Sequence, residues 1–164
     1  MKKALIFVSC ILLVFTSCKK NSDVAPSNTI SANINGVEES FNTNTVAQLS
    51  SLIKLNDGLS IYGTNGSATG ADILTISLSL NQTLTKGSYT SGSNTVGLVS
   101  ILYQSGPFSI ANLNYYATDD SANQTTVIIT TLTGTNIQGT FSGILVNGNA
   151  TKTVTNGKFN LTLK

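Results

Sequence analysis

From residue 29 onward the chain alternates. Ile30, Ala32 and Ile34 are apolar while Ser31 and Asn33 are polar, a period of two that predicts a half-buried strand. Asn35-Gly36 follows, the dipeptide favoured in two-residue hairpins, and predicts a return strand from Val37 to Phe41. The same logic predicts turns at Asp57-Gly58, between strands at Leu52–Leu55 and Leu59–Tyr62, at Asn147-Gly148 and at Asn156-Gly157. The clearest strand runs from Asp72 to Leu80, with Leu74, Ile76, Leu78 and Leu80 on one face and Thr75, Ser77 and Ser79 on the other. Val96 to Tyr103 is apolar on both faces apart from Ser100, as a central strand would be. Further strands are predicted from Lys86 to Tyr89, Phe108 to Thr118, Thr125 to Thr133, Ile137 to Val146, Thr151 to Thr155 and Lys158 to Leu163. The glycine-rich stretch from Gly63 to Gly70 precedes a strand and reads as a hairpin loop. Some nine or ten short strands without a helical period predict an all-β fold, an antiparallel β-sandwich or, alternatively, an up-and-down β-barrel. Lys158 and Lys164 are expected to protect strand edges.

The start of the chain breaks this pattern. Met1-Lys2-Lys3 is positively charged and Ala4 to Phe15 is nearly unbroken apolar sequence, the layout of a secretory signal. That run is shorter than the roughly 20 apolar residues a spanning helix needs. Lys19 to Asn28 is polar and contains Pro26, so it reads as a tether, about 33–36 Å long when extended. The predicted organisation is a signal over 1–17, Cys18 and a tether over 18–28, and one all-β domain over 29–164.

Phe15-Thr16-Ser17-Cys18 resembles the lipobox of bacterial lipoproteins, with Phe15 in place of the usual Leu or Val. The resemblance implies that Cys18 becomes the N-terminus and carries thioether-linked diacylglycerol. Acyl chains contribute about 0.8 kcal/mol per buried methylene, so two or three of them anchor a protein durably. No Asp follows Cys18, whereas in enteric bacteria an Asp there retains lipoproteins in the inner membrane; the expectation is a lipid anchor in the outer membrane.

The composition removes several kinds of chemistry. Both cysteines are spoken for, Cys10 inside the signal and Cys18 at its end, which leaves the domain without a disulfide or a thiolate metal site. Without Lys2 and Lys3, seven lysines face seven acids and there is no arginine, so no basic footprint for nucleic acid exists. Histidine is absent, and with it the commonest general base and metal ligand. No cofactor is expected.

Carboxylates remain: Glu38, Glu39, Asp57, Asp72, Asp119 and Asp120. Glycosidases need two acids facing each other across a cleft. Glu38 and Glu39 are strand neighbours pointing to opposite faces, and Asp57 and Asp119-Asp120 read as turn and loop residues. Asp119, Asp120 and Asn123 offer oxygen ligands for calcium but lack the spacing of a calcium loop. Among the aromatic residues Tyr62, Tyr89, Tyr103, Phe108, Tyr115 and Tyr116, the adjacent Tyr115 and Tyr116 point to opposite faces, so one is a candidate ligand contact for a sugar. Asp120-Ser121-Ala122 resembles the O-glycosylation signal of exported Bacteroidetes proteins, with Ser121 as acceptor.

Ile34-Asn35-Gly36, Lys86-Gly87-Ser88-Tyr89, Ile137-Gln138-Gly139-Thr140-Phe141 and Val154-Thr155-Asn156-Gly157-Lys158-Phe159 resemble a family of small lipoproteins of unknown function from Bacteroidetes-type bacteria. The resemblance implies fold and compartment, not activity. The expectation is a non-enzymatic envelope lipoprotein that acts as a structural or binding module, meeting a membrane through its lipid and a glycan or envelope protein through its domain. The alternatives are a carbohydrate-binding module and a carboxylate-dependent glycan-processing enzyme.

Overall fold

The computed structural model describes residues 27–52, 56–67, 70–92, 96–106, 115–118 and 125–164. Those residues form eleven strands: β1 (Thr29–Ile34), β2 (Val37–Ser40), β3 (Thr43–Leu52), β4 (Asn56–Thr64), β5 (Ile73–Leu80), β6 (Gly87–Thr90), β7 (Val96–Gln104), β8 (Tyr115–Thr118), β9 (Thr126–Leu132), β10 (Asn136–Asn147) and β11 (Ala150–Thr162). Every ladder between them is antiparallel, in the order β2-β1-β11-β10-β8-β7-β5-β4-β3, with β9 beside β10 and β6 beside β9.

The long strand β10 joins two sheets. Its first half pairs with β9, from Ile137↔Leu132 to Ser142↔Thr126, and its second half pairs with β8 at Leu145 and Val146. The ladder path does not close. At its far end β3 meets β11 only through a parallel bridge, Ala47↔Leu163, and a bond from the Lys164 N–H to the Ala47 carbonyl at 2.9 Å. The fold is an antiparallel sandwich, and the barrel alternative falls away. Between the sheets lies one core, to which Ile30, Phe41, Ile137 and Phe159 come from one side and Ile61, Leu74, Ile76 and Ile101 from the other.

Asn35-Gly36 forms the expected hairpin, with φ of +51° and +83°. Three other turns differ from expectation. The turn near Asn147 is one residue later, because Asn147 pairs with Ala150 and Gly148 takes the positive φ. Asp57-Gly58 is no turn: both residues lie inside β4, paired with Ser51 and Ser50, while Asp57 accepts the Leu84 N–H at 2.8 Å. Asn156-Gly157 lies within β11 as a bulge, so the two strands expected over 151–163 are one. Asn156 has a φ of +53°, a conformation that two-residue hairpin turns and one class of bulge share.

Lys158 is not an edge residue either, since β11 runs between β1 and β10. Among the described strands the edges are β2, β3 and β6. Among these, β2 is kept from further pairing by its four-residue length and by Glu38 and Glu39. Of the earlier expectations, the signal over 1–17, Cys18, the tether up to Pro26, and Asp119, Asp120, Ser121 and Asn123 lie outside the described residues. Asn28, the last tether residue, accepts the Thr162 N–H at 2.9 Å and so is tied to the domain.

Candidate functional site

Two of the six domain acids converge. Glu39 on β2 and Asp72, which immediately precedes β5, both reach the hydroxyl of Tyr103 near the end of β7. Each occupies the inward phase of its segment: Asp72 is in step with buried Leu74 and Ile76, Tyr103 with buried Val99 and Ile101, and Glu39 with buried Phe41. Polar side chains in core phase at strand ends meet where the two sheets come together.

The phenol donates to Asp72 Oδ2 at 2.8 Å, while Asp72 Oδ1 accepts the Gly106 N–H at 2.8 Å. Both Glu39 oxygens are 3.3–3.4 Å from the same hydroxyl. Lys152 Nζ stands 5.4 Å from the centre of the Tyr103 ring, and the Phe41 ring meets it edge-on at 6.2 Å. Tyr103 itself is 3% exposed, whereas the two acids are half-buried.

One hydroxyl proton cannot satisfy two carboxylates at once, and the electrostatics follow from that. Burial holds the Glu39 carboxyl above its ordinary range and the negative Asp72 adds to this, against opposition from the Tyr103 hydrogen bond and the Lys152 charge. Protonated, Glu39 donates to the Tyr103 oxygen and completes a chain from Glu39 through Tyr103 to Asp72. Burial pushes the Tyr103 phenol up strongly, and its bond to Asp72 and the charges of both acids push the same way. The phenol therefore stays neutral at physiological pH, a donor and not a base.

Compared with protein-family models, with curated proteins and with solved structures, the chain has no match in any of the three.

The remaining expectations distribute as follows. Glu38 is exposed and apart from the pair. Tyr89 is buried and closes its own loop, donating to the Thr85 carbonyl at 2.7 Å, so neither Tyr89 nor Tyr103 offers a ring face to a sugar. For Tyr115 and Tyr116 only the backbone is described, paired with Gln104 and Tyr103. No group of three metal-ligating side chains occurs among the described residues.

Proposed function

We propose that this chain is a lipid-anchored protein of the bacterial cell envelope, held at the outer membrane through Cys18, and that its sandwich works as a non-enzymatic structural or binding module. The observation that carries the reading is the register of the N-terminus: a charged start, an apolar run, two small residues, Cys18, and then a polar segment up to the first strand. Such an arrangement leaves the domain free of the bilayer and within a tether's length of it.

A carboxylate-dependent glycan-processing enzyme is the second reading, and the convergence of Glu39 and Asp72 speaks for it. That chemistry needs a glycosidic oxygen, and in one version a water, between the two acids. Here the Tyr103 hydroxyl stands between them, bonded to one and in reach of the other. Together with the absence of histidine, this supports the module over the enzyme.

Cys18→Ser tests the anchor. In a lipoprotein-exporting host the variant is expected in the soluble fraction, without incorporation of labelled palmitate and with an unchanged circular dichroism spectrum. Undiminished membrane association would overturn the reading. Release of reducing sugars from a glycan panel by the wild type, abolished in Asp72→Asn, would favour the enzyme instead.

A further inference from the structure

The bulge in β11 has a second effect, on the outer face of the sheet. Phe141 pairs with Gly157 and Gly143 with Val154, so Ser142 faces Thr155 and Asn156 together. A depression of about 430 Å³ lies on the outer face along this bulge, between the outward residues of β9, β10 and β11. Its size falls in the range of small-molecule sites, roughly 300–1,000 Å³.

The walls are ordered by the ladder. Thr140 pairs with Ile128 on one side and Lys158 on the other, so one row across the strands reads aliphatic, hydroxyl, ammonium. The next row sets Thr126 against Ser142 and then Thr155 and Asn156. Thr140, Ser142, Thr155, Asn156, Lys158 and Ile128 are exposed, and among the described residues none that lines the groove is acidic. The cross-strand neighbours of Lys158, Ser31 and Thr140, are uncharged.

We infer that this groove binds an acidic saccharide. Resting on the reading of the sandwich as a binding module, the inference gives that module a site and a ligand class. A sugar ring is itself amphipathic: its C–H face covers Ile128, its hydroxyls exchange hydrogen bonds with the Thr and Ser hydroxyls and the Asn156 amide, and its carboxylate or sulfate meets Lys158. A bare anion would use Lys158 and leave Ile128 wet. An apolar ligand would bury the hydroxyl rows unsatisfied.

The test titrates the purified whole chain in detergent with a glucuronate-containing disaccharide, a sulfated disaccharide and neutral cellobiose, followed by calorimetry and amide chemical shifts. At least one acidic disaccharide is expected to bind and to shift the Thr140, Ser142 and Lys158 amides, and the arm that responds identifies the acid. Cellobiose is expected to bind at least about tenfold more weakly, and Lys158→Gln to weaken the acidic ligand by a similar factor with an unchanged melting temperature. Ile128→Asp is expected to abolish binding. Absence of binding by both acidic probes, equal binding of cellobiose, or unchanged affinity in Lys158→Gln would overturn the assignment. Failure here with release of Cys18→Ser from membranes leaves the anchor standing and removes only the groove. Retention of Cys18→Ser at the membrane defeats the anchor whatever the groove does.

Discussion

Phe159→Ala is expected to destabilise the sandwich by about 3–5 kcal/mol, a large share of the roughly 5–15 kcal/mol that holds a domain of this kind together. Phe159 on β11 lies directly across from Gly139 on β10, and Phe141 lies across from Gly157. The two rings stack on each other with centroids 6.4 Å apart and planes 24° from parallel. Each ring also covers the backbone of a glycine in the opposite strand. A methyl group at Gly139 would collide with the Ile128 carbonyl and the Phe159 ring, and one at Gly157 with the Phe141 carbonyl and ring. Gly139→Ala is therefore expected to cost about 1–3 kcal/mol by overpacking, although alanine is ordinarily the better strand residue. Combining Gly139→Ala with Phe159→Leu relieves the ring collision, so the double variant should lose less than the two single losses together, by about 0.5–3 kcal/mol. Urea unfolding followed by circular dichroism measures these variants and the single Phe159→Leu that the comparison needs. A Gly139→Ala cost near zero would show that the ring and the glycine are not interlocked.

These reciprocal pairs show what a one-dimensional pattern carries and what it lacks. Leu74, Ile76, Leu78 and Leu80 on β5 were legible as core residues because a period of two separates faces, and Ile30, Ala32 and Ile34 on β1 for the same reason. Asn-Gly dipeptides reported something narrower than a turn. They mark a place where φ is positive, which is a hairpin at Asn35-Gly36 and a bulge at Asn156-Gly157. The strand from Thr43 to Leu52 was legible only at its end, because as an edge strand it carries few apolar positions before Leu49.

The meeting of Glu39 with Asp72 lay beyond local pattern altogether. It depends on the order in which distant strands pair, and β2 and β5 are separated by five other strands along the ladder. A signal was nevertheless present in the phase. Glu39, Asp72 and Tyr103 each stand where the alternation calls for an apolar residue, and a polar group placed there must find a partner or lose its hydrogen bonds to water. Reading Glu38 and Glu39 as a non-pair was right about that pair, since Glu38 points outward; it left open what Glu39 faces across the sandwich.

Although the two acids share one phenol, their removal is expected to act in opposite directions. Asp72 accepts the Tyr103 hydroxyl and the Gly106 N–H, both at 2.8 Å. Asp72→Ala leaves that N–H unpartnered and is expected to cost about 2–3 kcal/mol once partial exposure is allowed for. Glu39 has the opposite balance, because burial and the Asp72 charge hold its carboxyl above the ordinary value of 4.5. A carboxyl with a raised folded-state value binds its proton more tightly in the fold than in the unfolded chain. Its stabilising contribution is complete below the unfolded value and is lost as pH rises through the folded one. Glu39→Gln keeps a donor for the Tyr103 oxygen and has no charge to desolvate, so it should melt higher than the wild type at pH 7. That advantage should shrink as pH falls and vanish near pH 3.5, below the ordinary value of 4.5. Thermal melts of both variants between these limits decide the matter. If Glu39→Gln melts lower than the wild type at pH 7, the Lys152 charge and the Tyr103 bond outweigh burial, and the Glu39 charge stabilises the cluster instead of opposing it.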